Sequence, residues 1–261
     1  MAIVENHLKR KLSAGELAIG MGVVHLRGMN TAGIAAACGY DWLFIDMEHN
    51  AMSIDTATQM CVAALPTGVT PLVRVPGHQH FHGSRALDGG AMGIVAPHVD
   101  TPEQARAIVD ACKFPPLGHR SLTAPSPQLG FERKSVEESI EILNQNILVV
   151  VMLESPEAID NADAIAAVEG VDALLIGTND LCAEMGIPGQ LGHEKVLAAF
   201  EKMVDATRNN GKFAGMGGIY DQPITEKVVR MGVRLLLAGG DAAFLMAGAQ
   251  ARRDFLRTID I

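Results

Sequence analysis

Three ionisable side chains follow a short apolar run in a pattern that could support acid–base chemistry. Residues 42–50 read W-L-F-I-D-M-E-H-N, so an apolar run leads into Asp46, Glu48 and His49. Such a run is typical of a strand buried on both faces, and parallel α/β proteins place their sites beyond the carboxyl ends of these strands. A strand end that simply meets water can also carry acids. The recurrence of the pattern along the chain favours a site.

Three further apolar runs carry charged side chains. Arg74 lies within P-L-V-R-V-P, Glu154 ends I-L-V-V-V-M-L-E, and Asp180 ends A-L-L-I-G-T-N-D. An unpaired arginine in such a run is costly unless it meets an anion. Two neighbouring carboxylates repel unless a cation lies between them, and their hard oxygens suit Mg²⁺ or Mn²⁺ rather than structural zinc. Each acid taken alone could instead cap the helix that follows it.

Other polar motifs give weaker signals. Residues 77–82 read G-H-Q-H-F-H, but no acid or thiolate accompanies His78, His80 and His82 at ligand spacing, so a loop and helix start near the pocket mouth is the favoured interpretation. His98 has no partner recognisable in the sequence. The G-G-D motif at 239–241 could hold phosphate, as barrels often do there, although a tight turn is the better interpretation.

Eight strand-like runs alternate with helical patterns and must position these residues. The predicted strands are Ala18–Val24, Trp42–Glu48, Pro71–Val75, Gly93–His98, Ile147–Glu154, Ala173–Gly177, Phe213–Gly217 and Arg234–Ala238. The predicted helices are a short amphipathic one at the start, then Thr31–Cys38, Asp55–Ala64, Gly83–Gly90, Pro102–Phe114, Pro156–Val168, Glu194–Asn209, Gln222–Met231 and Ala242–Thr258. This alternation predicts one α/β domain over residues 1–261, a TIM (β/α)8 barrel, with a doubly wound open sheet as the alternative.

One segment interrupts the alternation between the fourth helix and the fifth strand. Residues 115–146 begin with the turn-forming run P-P-L-G-H-R-S-L-T-A-P-S-P and contain a predicted helix over Glu132–Asn144. Long ordered insertions often serve as lids or oligomer contacts. A solvated loop is the alternative, and the sequence leaves both open.

Composition and charge exclude several classes of function. The net charge of −9 argues against nucleic acid and against an anionic membrane surface as partners. No apolar run approaches the roughly 20 residues that span a bilayer, and the first residues lack the pattern of a secretory signal. The four cysteines are widely spaced and form no CxxC pair, which predicts buried thiols in a cytoplasmic protein.

Taken together, the motifs resemble one protein family. D-W-L-F-I-D-M-E-H, P-L-V-R-V-P, P-P-L-G-H-R, L-E-S and G-V-D-A-L-L-I-G-T-N-D-L occur in this order. Each is weak alone, but the ordered set resembles the HpcH/HpaI family of class II, pyruvate-dependent aldolases over nearly the whole chain. The resemblance implies a lyase that cleaves 4-hydroxy-2-oxo acids into pyruvate, or a related 2-oxo acid, and an aldehyde.

The resemblance also implies which residues act. Glu154 and Asp180 would bind Mg²⁺, Mn²⁺ or Co²⁺. Asp46 and Glu48 would hold the ion's waters and the catalytic histidine. It further implies a homohexamer, built as a trimer of dimers that exchange the C-terminal helix.

Three more side chains match the family's catalytic groups. Arg74 would stabilise the enolate of the 2-oxo acid, and His49 would serve in the proton transfers. Asp88 would raise the pKa of that histidine. No lysine lies at a predicted strand end, which argues against a Schiff-base aldolase.

The wall of the predicted pocket departs from the family pattern. Met152 stands where a glutamine that contacts the ligand is often found, and Thr178 and Asn179, after Gly177, stand where Pro-Ala is common. These four residues are predicted to contact the substrate, so the departures bear on which substrate is bound. A lyase or decarboxylase acting on a CoA ester or an oxaloacetate-like acid is the alternative enzyme, and a non-catalytic binding barrel is the alternative of another class.

Overall fold

The eight predicted strands all form, and they close into a barrel in chain order. The structure is a computed structural model that describes residues 4–122 and 126–261. The strands are β1 (Ala18–Val23), β2 (Trp42–Asp46), β3 (Thr70–Arg74), β4 (Gly93–Ala96), β5 (Leu148–Leu153), β6 (Ala173–Gly177), β7 (Phe213–Gly217) and β8 (Leu235–Gly240). Each strand pairs in parallel with the next and β8 pairs with β1, which confirms the TIM barrel over the open sheet.

Helices surround this barrel and plug one end of it. Those in the described residues are α1 (His7–Ser13), α2 (Thr31–Ala37), α3 (Ile54–Ala64), α4 (His80–Asp88), α5 (Pro102–Cys112), α6 (Val136–Asn146), α7 (Pro156–Asp160), α8 (Ala162–Ala166), α9 (Thr178–Glu184), α10 (Glu194–Asn209), α11 (Gln222–Met231) and α12 (Asp241–Arg257). None of the helices within 4–122 and 126–261 has the length and apolar character needed to cross a bilayer.

The strand residues alternate between two apolar cores. Trp42 and Phe44 point into the barrel with Leu8 and Leu12 of α1, while their neighbours on β2 pack outward against the helices. The indole of Trp42 fits because β1 carries Gly20, where a Cβ would lie 2.2 Å from the ring. The first helix therefore closes the amino ends of the strands and leaves the carboxyl ends open.

One helix prediction was wrong and one helix was not predicted, and both differences affect residues near the site. The helix predicted over Pro156–Val168 breaks into α7 and α8 at Asn161, whose amide donates to the Asp100 carbonyl at 2.7 Å. The sequence did not predict α9, which follows β6 without an intervening loop. Asp180 therefore lies in the first turn of a helix, where the backbone dipoles favour a negative charge.

The insertion at 115–146 packs at the amino ends of the strands. Gln128 donates its amide to the carbonyls of Leu87 and Ala91, just before β4. The Asn144 carbonyl in α6 accepts from Lys113, which also donates to the Ile147 carbonyl just before β5. Its helix, predicted over Glu132–Asn144, is α6, and residues 123–125 lie outside the described part of the chain. The described residues of the insertion, 115–122 and 126–146, consequently lie at the end of the barrel opposite to the carboxyl ends of the strands.

Candidate active site

A cavity of about 260 Å³ opens at the carboxyl ends of the strands. Apolar side chains of the barrel interior, Phe44, Leu175 and Leu237, form part of its wall. Most of the predicted site residues line it, namely His49, Arg74, Met152, Glu154, Gly177, Thr178, Asn179 and Asp180. The barrel therefore brings together side chains that are more than a hundred positions apart in the chain.

Arg74 is a buried cation fixed by two acids of β2 and its following loop. Its Nε and Nη2 donate to the two carboxylate oxygens of Asp46 at 3.0 and 2.7 Å, and its Nη1 lies 2.9 Å from Oε2 of Glu48. Burial raises the pKa of Asp46, but the hydrogen bond and the positive charge of Arg74 outweigh it and lower that pKa overall. Such a two-point contact fixes the orientation of the guanidinium plane.

Glu154 is a buried carboxylate that needs a positive partner. It is 2% exposed, and its Oε2 accepts the backbone N–H of His98 at 2.8 Å. Its pKa is raised to about 7, chiefly by burial and also by the charges of Asp180 and Glu48, although the N–H and charge of His98 act in the opposite direction. Its Oε1 lies over Gly177, where a Cβ would come within 2.2 Å.

These carboxylates fit a divalent cation held by few protein ligands. The negative charges of Asp180 and Glu48 raise the pKa of Glu154, so the three carboxylates lie near one another, and of these Glu48 already contacts the guanidinium of Arg74. In the described residues no three His, Cys, Asp or Glu side chains are arranged to hold a metal ion. Glu154 and Asp180 thus offer a two-carboxylate site with open positions, which suits Mg²⁺ or Mn²⁺.

His49 lies at the mouth of the cavity and is more exposed than Arg74. Its Nε2 is 3.9 Å from Oε2 of Glu48, and its backbone N–H donates to Oδ1 of Asp46 at 3.4 Å. Asp46 and Glu48 therefore hold both Arg74 and the loop that carries the histidine. This arrangement is compatible with the predicted supporting role of the two acids.

Asp88 is the one predicted site residue that the chain does not bring to the others. It ends α4, and its carboxylate accepts a hydrogen bond from Nη2 of Arg120 at 2.6 Å. That end of α4 lies at the amino ends of the strands, beside the insertion, whereas His49 follows the carboxyl end of β2. Within one chain, Asp88 and His49 belong to opposite ends of the barrel.

The pocket wall is less polar than its sequence indicates. Met152 is buried and offers no polar atom beyond its thioether. The hydroxyl of Thr178 donates to the Gly217 carbonyl at 2.8 Å, so its proton is not available for a hydrogen bond to a ligand. The amide of Asn179 lies beside Gly218, and it has room there because a Cβ on Gly218 would come within 3.0 Å of Nδ2 of Asn179. Of the predicted substrate contacts, Asn179 is the side chain best placed to donate to a ligand.

The G-G-D motif after β8 uses its own acid instead of a phosphate. Oδ2 of Asp241 accepts the backbone N–H groups of Val24, His25 and Leu26 at 3.2, 2.8 and 2.6 Å. These N–H groups would otherwise suit an anion. The carboxylate therefore joins the end of β8 to the loop after β1.

Sequence reasoning missed His98 and Tyr220. His98 was placed at the end of a predicted strand, so the rule that found the other strand-end groups could have included it. Tyr220 lines the cavity three residues after β7, and burial raises the pKa of its hydroxyl although the charge of Arg74 lowers it. Nothing in its sequence context marks Tyr220 as a site residue.

The raised pKa of Glu154 predicts how stability depends on pH when no cation is bound. The folded-state pKa of about 7 lies above the usual 4.5, so the folded protein binds the extra proton between these values. The contribution of this group to stability is full below about pH 4.5 and is lost as pH rises to about 7. With chelator present, the melting temperature of wild type should therefore fall relative to that of Glu154→Gln as pH rises through this window. A constant difference between the two proteins would contradict the raised pKa.

Comparison with known proteins gives one consistent family. The family model described as HpcH/HpaI aldolase/citrate lyase matches residues 24–247. The chain is 42% identical over 249 residues to a 4-hydroxy-4-methyl-2-oxoglutarate aldolase of Chaetomium globosum, covering 94% of this chain and 92% of that protein. It is 36% identical to a pyruvate aldolase of Rhizobium etli, and the match covers 96% of this chain and 97% of that protein. The crystal structure of an HpcH/HpaI aldolase from Desulfitobacterium hafniense superposes with a TM-score of 0.91 at 32% identity, covering 97% of each chain.

Proposed function

The chain belongs to the HpcH/HpaI aldolase/citrate lyase family, and from that premise we propose that it is a divalent-cation-dependent aldolase. It reversibly cleaves 4-hydroxy-2-oxo acids into pyruvate, or a related 2-oxo acid, and an aldehyde. Two relatives that this chain matches along almost their whole length are named aldolases, which supports this reaction. The observation that carries it is the pairing, in one cavity, of a fixed buried guanidinium with two buried or half-buried carboxylates.

Glu154 and Asp180 hold the cation in this proposal. When bound, Mg²⁺, Mn²⁺ or Co²⁺ supplies positive charge to the oxygens of the 2-oxo acid. Gly177 leaves the space in which Oε1 of Glu154 lies, and Asp180 follows three residues later. The protein thereby supplies ligands from two adjacent strand ends and leaves the remaining positions to substrate and water.

Arg74 and His49 carry out the chemistry of bond cleavage. His49 accepts the proton of the 4-hydroxyl group, the C3–C4 bond breaks to release the aldehyde, and the electron pair moves to the C2 oxygen. The guanidinium of Arg74 stabilises the negative charge that develops on that oxygen, and transfer of the proton from His49 to C3 then gives pyruvate and restores the neutral histidine. Asp46 and Glu48 keep the guanidinium in place, so little reorganisation is needed during the reaction.

Measurement of pyruvate release from a panel of 4-hydroxy-2-oxo acids tests the function. The panel should include 4-hydroxy-4-methyl-2-oxoglutarate, with Mg²⁺, Mn²⁺ or Co²⁺ and after chelation. We expect release that depends on the cation. Release of acetyl-CoA or CO₂ from a CoA ester or oxaloacetate, without aldol cleavage, would favour the alternative enzyme. A protein that binds neither Mn²⁺ nor pyruvate in calorimetry would be a non-catalytic barrel.

Self-association is supported by the last helix. Only Asp241 is buried in α12, and five large apolar side chains of this helix are exposed: Phe244, Leu245, Met246, Phe255 and Leu256. A single chain leaves this surface uncovered, and such patches mark interaction sites. We infer that α12 packs on a second copy, as the family's hexamer with exchanged helices implies.

The position of Asp88 implies that the proposed catalytic site is completed only when two chains associate. Because Asp88 and His49 lie at opposite ends of one barrel, the proposed effect of Asp88 on His49 requires two chains. One copy would supply the histidine and its neighbour the aspartate. The Arg120 contact already holds the Asp88 side chain, which is partly exposed, at that end of the barrel.

Mixing two inactive variants should restore activity if the site is shared. We expect His49→Ala and Asp88→Asn to be impaired alone, and a mixture dissociated and reassembled together to recover activity, since some sites then receive both intact groups. His49→Ala mixed with Arg74→Lys is the control, because those residues lie in one cavity and no site becomes intact. Mixed oligomers seen by light scattering without recovered activity would contradict the shared site, and a monomer at micromolar concentration would contradict the assembly.

A cytoplasmic location is supported by the cysteines. Cys61, Cys112 and Cys182 are buried and free, whereas Cys38 is exposed, so the prediction of buried thiols was wrong for that one residue. Burial raises the pKa of the Cys112 thiol to about 12. Thiols of this kind are inert and are typical of proteins from reducing compartments.

A further inference from the structure

His98 has a backbone conformation that is unusual for a residue with a side chain. Its φ is +50°, and among the described residues only Phe131 shares a positive φ without being glycine. Such conformations are uncommon outside glycine, although histidine and asparagine accept them more readily than most residues. They cluster at functional sites, where the surrounding structure holds them in place.

The turn is held on one side by the loop that precedes α4 and on the other side by β5. Before it, the Pro97 carbonyl contacts Nε2 of His78 at 2.6 Å; after it, Val99 donates its N–H to the Met152 carbonyl of β5 at 3.0 Å. Asp100 then donates its N–H to the Gln104 side chain at 2.7 Å. These contacts fix the direction of the one backbone N–H between them, that of His98.

That N–H points at one oxygen of Glu154. It donates to Oε2 at 2.8 Å, which leaves Oε1 on the side of Gly177, three residues before Asp180. The imidazole lies farther away, with Nδ1 3.4 Å from Oε2 of Glu154 and Nε2 3.6 Å from Oε1 of Glu48, and it is mostly exposed. The short, well-directed contact is therefore made by the backbone and not by the ring.

We propose that His98 is a positioning residue, whose left-handed backbone turns Glu154 so that Oε1 faces Asp180 and the cation binds between them. This role rests on the proposed function, because it concerns the affinity of the cation site. The residue type matters mainly through the backbone conformation that it permits. His78 contributes by holding the preceding carbonyl, which gives the first histidine of the G-H-Q-H-F-H motif a structural role.

Mn²⁺ binding in the absence of substrate tests the proposal. Free Mn²⁺ is followed by electron paramagnetic resonance during titration of wild type and of three variants, His98→Gly, His98→Asn and His98→Val. Glycine and asparagine accept φ near +50°, so these variants should bind Mn²⁺ within about threefold of wild type. Valine does not, so His98→Val should bind about 10- to 100-fold more weakly, the usual loss when a group that orients a metal ligand is removed. His80→Ala, which removes an exposed histidine at the start of α4, is the control.

The outcomes separate this role from the proposed function. Failure of wild type to bind Mn²⁺ would overturn the cation site and this role with it. If wild type binds, a loss in His98→Gly as large as that in His98→Val would overturn only the positioning role, since the ring would then be the essential part. Melting temperatures are measured for all variants. If His98→Val does not fold, His98→Gly decides alone: near-normal affinity supports the backbone role, and a tenfold loss overturns it.

Discussion

Glu154→Gln and Asp180→Asn are each expected to lose nearly all pyruvate release, together with its dependence on divalent cations. Each substitution keeps the size of the side chain but removes one of the two carboxylates that would hold the ion. An amide is a much weaker ligand for a hard cation than a carboxylate. Glutamine at 154 still accepts the His98 N–H, so the fold should be retained.

Activity and Mn²⁺ affinity should be measured on the same preparations. Glu157→Gln is the matched control, because it makes the same change three residues later at an exposed position. We expect that variant to behave as wild type. Wild-type turnover after exhaustive chelation, or in Glu154→Gln or Asp180→Asn, would contradict the proposed role of the cation.

Arg74→Lys is expected to lower kcat by about 10²–10³, the usual cost of losing one donor that stabilises a developing oxyanion. Lysine keeps the charge but not the planar fork that contacts Asp46 with two nitrogens. Because the C2 oxygen becomes negative only as the C3–C4 bond breaks, the loss should appear in kcat more than in KM. Arg85→Lys, at an exposed position of α4, should leave kcat unchanged.

The same substitution separates catalysis from structural support. The buried contacts of Arg74 with Asp46 and Glu48 would also be expected if the arginine only stabilised the rim of the barrel. In that case Arg74→Lys would lower the melting temperature and leave turnover of the folded enzyme intact. That result would refute the catalytic role, whereas a large loss of kcat in a folded variant would support it.

The barrel could be predicted because it follows from short sequence patterns, each of which can be recognised from neighbouring residues. Eight apolar runs separated by helical patterns leave few topologies, and the charged residues that four of these runs carry show which end of the barrel opens to solvent. The acids predicted at strand ends, such as Glu48 and Glu154, lie just beyond the hydrogen-bonded strands. The rule that sites follow strand ends therefore located most of the cavity.

Some of the features that were missed depend on contacts between distant segments. The φ of His98 is set by Pro97, His78 and β5, and none of these contacts can be recognised from neighbouring residues. The resemblance gave Asp88 a role beside His49, although the predicted helix Gly83–Gly90 already contained Asp88. Helices of a barrel end at the amino ends of the strands, so this conflict could have been recognised from the sequence. α9 was missed because Gly177, Thr178 and Asn179 indicate a turn, whereas in the structure Gly177 is the N-cap and the helix begins at Thr178.

The hydrogen bonds that Asp241 accepts from the loop after β1 limit how far the chain can be truncated from its C-terminal end. Asp241 is the first residue of the exposed helix, yet its carboxylate holds the backbone of Val24, His25 and Leu26 more than two hundred positions earlier. A chain cut after residue 242 would lose the apolar surface of the helix but keep this closure of the barrel. A chain cut before residue 241 would also free the loop after β1, so the two truncations separate subunit contacts from barrel closure.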